Sequence, residues 1–152
     1  MDLADYLRGA TFVFVGAFNG YREAIWNTSD GQRPQDLVTV RDFKRWPGAT
    51  IFRPLDVRID EVVRGSAKDL TGARVLGGTA GCDRFTFADP DLRAGGQYVF
   101  VMSPVGDADE VVRNNLALTA AFPASADGRV SVPGRPSMSL AAFRQLVATS
   151  GP

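Results

Sequence analysis

Leu55-Asp56-Val57-Arg58-Ile59-Asp60-Glu61-Val62-Val63-Arg64-Gly65 decides the fold class of this 152-residue chain. Leu55, Val57 and Ile59 alternate with Asp56, Arg58 and Asp60, the period-2 pattern of a strand with one face buried and one wet. The phase slips at Glu61, because Val62 falls where a polar residue is due. One extra residue in a bulge restores the register, and bulges are a means by which small barrels curl their sheet. Gly65 ends the strand.

Outward from it, Thr11-Phe12-Val13-Phe14-Val15 is an apolar run long enough for a strand buried on both faces and too short for a core helix. Arg74-Val75-Leu76 is a short strand, and Tyr98 to Met102 another that stops at Pro104. Leu116, Leu118, Ala120 and Phe122 alternate, and Val130 and Val132 make a brief strand after the Asp127-Gly128 turn. Short strands at turn-marked spacing predict a sandwich or a barrel. Leu3 and Leu7 behind Asp2 predict a short capped helix. Leu140, Phe143, Leu146 and Val147 predict a second, capped by Ser139 and ended by Gly151-Pro152. The expected core is Phe12, Phe14, Val57, Ile59, Tyr98, Phe100, Leu116, Leu118, Phe143 and Leu146. From about Gly20 to Gly48 regular period is lost, which marks a long excursion that is functional or mobile.

The order of apolar strand, long loop, Val57 to Gly65, Gly81-Cys82-Asp83-Arg84-Phe85-Thr86-Phe87 and Gly95-Gly96-Gln97-Tyr98-Val99-Phe100-Val101 spans about residues 5 to 102. It resembles the bacterial relatives of the tissue-inhibitor-of-metalloproteinase and netrin modules. Those modules are OB-fold barrels. The resemblance implies a mainly β chain: a five-stranded, OB-fold-like Greek-key barrel with short N-terminal and C-terminal helices. It is expected to form one domain over 1–152 with its first inter-strand loop at about 20–48. In that family the cysteine before the aromatic strand commonly pairs with one downstream, and no cysteine follows Met102 here. Inhibition by the animal members uses a processed amino-terminal cysteine, which Met1 to Asp5 does not supply, so that activity is not carried over. The resemblance also implies a secreted or extracytoplasmic module. Met1-Asp2-Leu3-Ala4-Asp5 lacks the basic and apolar regions of a signal peptide, so this placement requires a signal removed upstream, and a native Met1 implies the cytoplasm.

Composition narrows the chemistry. Apolar residues make up 45% and charged residues 22%, the profile of a globular domain, and no apolar run approaches a membrane span. Seventeen basic residues balance seventeen acidic ones, so no global field draws nucleic acid or an anionic membrane. The basic set is fifteen Arg and two Lys, which suits phosphate or carboxylate forks but equally reflects codon bias. The single cysteine forbids an internal disulfide, and Asn27-Thr28-Ser29 fits a glycosylation sequon that matters only in a eukaryotic secretory setting.

With no histidine there is no His-based triad, imidazole base or His metal ligand. Cys82 is a nucleophile only if Arg84 lowers its pKa; the other reading is a small, semi-buried residue at a barrel turn. Phosphate-loop, nucleophile-elbow and CxxC patterns are missing. Asp83, Asp89, Asp91, Asp107, Asp109 and Glu110 offer hard oxygen ligands without EF-hand spacing, and they read as turn chemistry. No catalytic residue, metal or cofactor is therefore expected.

The long loop is the candidate site. Arg22, Arg33, Arg41, Lys44, Arg45 and Arg53 interleave there with Trp26, Phe43, Trp46 and Phe52. The candidate binding residues are Arg22, Trp26, Arg41, Phe43, Arg45, Trp46 and Arg53, which suit a protein partner with exposed tryptophan anchors. The competing reading folds the aromatics inward as a lid, with the arginines paired to Glu23, Asp30, Asp36 and Asp42. The alternative function, a single-strand nucleic-acid binder on the usual OB face, is disfavoured by the neutral net charge.

Overall fold

The computed structural model describes residues 2–28, 30–33, 51–66, 72–86, 90–104 and 115–151. In chain order its elements are α1 (Leu3–Leu7), β1 (Phe12–Tyr21), β2 (Ile25–Trp26), β3 (Ile51–Arg64), β4 (Gly72–Leu76), β5 (Gly78–Ala80), β6 (Asp83–Phe85), β7 (Gln97–Pro104), β8 (Asn115–Pro123), β9 (Arg129–Val130), β10 (Met138–Ser139) and α2 (Leu140–Thr149). No helix among the described residues is long and apolar enough to cross a membrane.

The architecture is mainly β. β1 pairs antiparallel with both β3 and β7. β7 continues antiparallel to β8, β8 runs parallel to β4, and β4 returns antiparallel to β3. Five strands thus close a ring in the order β1-β3-β4-β8-β7, with β2 added to the start of β3. β5 with β6, and β9 with β10, form separate two-stranded pieces. The Asp83–Phe85 stretch therefore lies in a hairpin outside the ring.

Alternation sorts β1 and β7 into two cores. Phe12, Phe14, Phe18, Tyr98, Phe100 and Met102 point into the ring, where they meet Leu55, Val75 and Leu116. The Phe14 and Phe100 rings stack with centroids 4.8 Å apart. Val13, Val15, Val99 and Val101 point the other way, beneath Leu3 and Leu7 of α1 and Phe143 and Val147 of α2. The expected two-sided burial of β1 follows from these two layers. Of the expected core, Phe12, Phe14, Tyr98, Phe100, Leu116 and Phe143 are buried; Val57, Ile59, Leu118 and Leu146 pack against the cores but keep one side exposed.

β3 carries the phase slip. Val13 pairs with Arg64 but Phe14 with Val62, and Val15 with Glu61 but Gly16 with Ile59, so Val63 and Asp60 are extra residues on β3. Each bulge bends the strand around the ring. Between them Glu61 shares Val15's outer side and forms an ion pair with Arg144 of α2. Gly16 is required for a different reason: a Cβ there would overlap the Arg58 carbonyl oxygen and sit 3.2 Å from the Phe14 ring.

Both helices have the expected caps. Asp2 accepts from the Leu3 amide at 2.6 Å, while Asp5 accepts from the Asp2 amide at 3.1 Å; Ser139 accepts from the Ala142 amide at 3.1 Å. Arg64 joins them. Its guanidinium donates to the carbonyls of Leu7 and Ala10, both at 3.0 Å, and of Val147 at 2.5 Å. Partial burial lowers its pKa.

Two outcomes follow for stability. Gly16→Ala, which adds only a methyl group against backbone, is expected to cost about 2 kcal/mol or more, read as a fall in melting temperature of roughly 5 °C. Arg64→Met keeps the aliphatic stem but leaves three carbonyls without their donor. Urea unfolding should show a loss of about 2–3 kcal/mol, since hydrogen bonds from charged groups exceed neutral ones; an unchanged midpoint would contradict the bridging role.

Candidate functional site

The excursion after β1 begins as ordered structure. β2 pairs Trp26 with Ile51 and Ile25 with Phe52. The following turn is held by Asp30, which accepts from the Thr28 hydroxyl at 3.0 Å and the Gln32 amide at 2.9 Å; these bonds lower its pKa. Arg33 reaches Asp83 on β6 at 3.6 Å, tying this turn to the β5–β6 hairpin.

Trp26 is 3% exposed and packs with Ile51, with Ala24, Ala80 and Phe85 against them. It packs inward, as the lid reading has it, rather than standing out as an exposed anchor. Ile51, Arg53 and Leu55 share one face of β3, so Arg53 lies beside this lid on the interior side. Its guanidinium lies 4.4 Å from the Tyr21 ring centroid and its Nε donates to the Gly77 carbonyl at 3.3 Å. Arg22 is exposed at the end of β1, with its backbone amide bonded to the Pro54 carbonyl. Arg41, Phe43, Arg45 and Trp46 lie outside the described residues.

Arg53 and Arg84 line a recess of about 280 Å³ together with Phe85, Thr79, Thr86 and the Gly77-Gly78 backbone. Arg84 is exposed on the hairpin, and Gly81-Cys82 forms its two-residue turn. Cys82 is exposed there, not semi-buried. A hairpin turn outside the ring has no second layer to cover it. Among the described residues no three His, Cys, Asp or Glu side chains gather to hold a metal ion; Asp89, Asp107, Asp109 and Glu110 lie outside them.

The opposite face of the β3–β4 pair holds a residue whose burial the sequence does not announce. Arg74 is 1% exposed. Its Nη1 donates to the Asn27 side-chain oxygen at 3.0 Å and its guanidinium lies 4.8 Å from the Phe52 ring centroid. Nε and Nη2 have no partner among the described residues. Burial pushes the pKa down to about 10. In the sequence, Arg74 beside Val75 reads as the wet half of an alternating strand, and only the fold shows that this side is covered. Asn27 is itself 5% exposed and engaged with Arg74, so the sequon does not present its amide to solvent. No family model, curated protein or solved structure matches the chain.

As a lid residue, Trp26 replaced by Ala should cost about 3 kcal/mol or more, and urea denaturation of the single variant measures this directly. Cys82 should react fully with a thiol reagent in native buffer, and Cys82→Ser should move the unfolding midpoint by no more than about 0.5 kcal/mol.

Proposed function

We propose that the chain is a non-catalytic, extracytoplasmic interaction module on an OB-type barrel, engaging a protein partner at the mouth of the ring and along the excursion that leaves it. The closed order β1-β3-β4-β8-β7, with one parallel pair, supports the OB reading as a small Greek-key barrel. The same order supports the resemblance to the tissue-inhibitor and netrin modules, which is the ground for an extracytoplasmic setting.

The observation that carries the binding reading is the recess where Arg53 and Arg84 converge beside Phe85. Arginine and aromatic groups around a concave surface supply the fork hydrogen bonds and the desolvated area that dominate protein interfaces. Exposed Arg22 at the end of β1 is included in the proposed contact, as are Arg41, Phe43, Arg45 and Trp46, which lie outside the described residues and enter on sequence grounds alone. Buried Trp26 supports it from beneath. The single-strand nucleic-acid reading draws on the same arginine and ring content, but a chain of zero net charge has little phosphate-neutralising capacity beyond a local patch.

The test uses Arg22→Glu/Arg84→Glu, two exposed positions where substitution leaves stability within about 0.5 kcal/mol. A partner captured from native extract by the wild-type chain should bind the double variant at least about tenfold more weakly, with unchanged circular dichroism. Equal capture by both would remove the mouth as the contact surface. Submicromolar, steeply salt-dependent binding of a thymidine 20-mer would instead establish the nucleic-acid reading.

A further inference from the structure

The recess beside Arg53 carries two cations and no acid. Arg53 is held in place: the centroid of the Tyr21 ring lies 4.4 Å from its guanidinium, and Nε donates to the Gly77 carbonyl at 3.3 Å. Its stem passes so near Gly78 that a Cβ there would sit 3.1 Å from Cγ, so the missing side chain is what lets the guanidinium reach the recess. Thr79 and Arg84 are cross-strand partners in the β5–β6 hairpin and share one of its faces, and Thr86 follows two residues after Arg84. All of these side chains line the same space of about 280 Å³. Arg84 makes no hydrogen bond or ion pair among the described residues, and the carboxylate next to it in sequence, Asp83, is taken by Arg33. No acidic side chain is among the described residues that line the recess.

We propose that this recess binds one phosphoryl group, the dianion of a phosphate monoester, at Arg53 and Arg84. The site deepens the mouth reading above and rests on it where the carrier is a protein partner; the anion chemistry follows from the lining alone. Two guanidinium groups match a charge of about −2, where a carboxylate brings only one. The phosphoryl group also presents about three acceptor oxygens, enough to meet the fork of Arg84, the charge of Arg53 and the hydroxyls of Thr79 and Thr86. A planar carboxylate is satisfied by a single fork and leaves the second arginine unmatched. Phe85 supplies an apolar wall for the organic part of the ester. The carrier is a phosphorylated side chain of the partner or a small phosphate ester.

The full chain, labelled with ¹⁵N, is titrated at constant ionic strength with inorganic phosphate, a capped alanine peptide with a central phosphoserine, the same peptide with glutamate in its place, and acetate. Saturable shifts of the Gly78, Thr79, Arg84 and Thr86 amides are expected with phosphate and the phosphopeptide, and the two carboxylate probes should bind about tenfold more weakly or worse. Arg84→Gln, a change at an exposed position, should weaken phosphate binding about tenfold, while Arg8→Gln at the exposed end of α1 leaves it unchanged. Affinity should fall from about pH 7.5 to about pH 5.5, because the monoester takes up its second proton near pH ~6 and the chain has no histidine to titrate there. Tighter binding of the phosphopeptide than of inorganic phosphate identifies a side-chain carrier, and the reverse a small ester. The proposal is overturned if phosphate leaves these amides unmoved, if acetate shifts them at the same concentration, if affinity ignores the pH change, or if Arg84→Gln binds phosphate like the wild type. The two readings separate cleanly. Saturable phosphate binding with equal partner capture by Arg22→Glu/Arg84→Glu keeps the anion site and removes the mouth as a protein contact. No phosphate binding with weakened capture by that variant overturns the anion site and keeps the mouth.

Discussion

Closure of the ring through β1 is the constraint on which the other features depend. β1 is held by β3 on one edge and β7 on the other, with a packed layer on each face. No position along Phe12–Phe18 is free to be large and polar, which is why that run is apolar nearly without interruption. Gly16 is small because the ring brings the Arg58 carbonyl against it. β3 answers the same closure by bulging at Asp60 and Val63, since a regular strand paired to β1 over this length would not also bend to meet β4.

The outer layer is fastened rather than merely packed. α1 has five residues, far too few to hold a helix alone, and survives through its capping box and the burial of Leu3 and Leu7. Arg64 lies where β3 ends beneath both helices and takes carbonyls from each, so ring and helical layer share one hydrogen-bonding centre. The second β3 bulge therefore does more than curve the strand: it sets the residue after it at the helix ends.

Strands that pack over long stretches were legible because their side-chain period is a direct record of which face is wet. β1, β3, β7 and β8 left that record, as did the capped helices. β2 did not, because two residues carry no period; of the β5–β6 hairpin the aromatic strand after Cys82 was legible but β5 was not, because three small residues carry no period either. Trp26 shows the limit most plainly. Its side chain and neighbours suit an interface as well as a core, and what decides between them is the pairing of β2 with Ile51, a contact across 25 positions of chain. Four of the seven candidate binding residues lie outside the described residues; of the other three, Arg53 lines the recess, Trp26 is buried, and Arg22 is exposed after β1.

Arginine recurs at each decisive place, and its chemistry differs with what meets the fork. At Arg64 three carbonyls meet it, which suits a structural clasp: neutral acceptors satisfy the donors without needing a second buried charge. At Arg53 an aromatic face and one carbonyl hold the group at the rim of a recess. At Arg74 one amide oxygen and one ring face orient the cation, while Nε and Nη2 are buried with no partner among the described residues. A lysine cannot substitute in any of the three, because a point charge has neither the planar face to lie on a ring nor the rigid spread to reach separate acceptors. The fifteen-to-two preference for arginine thus has a structural use at these positions, whatever set it across the chain.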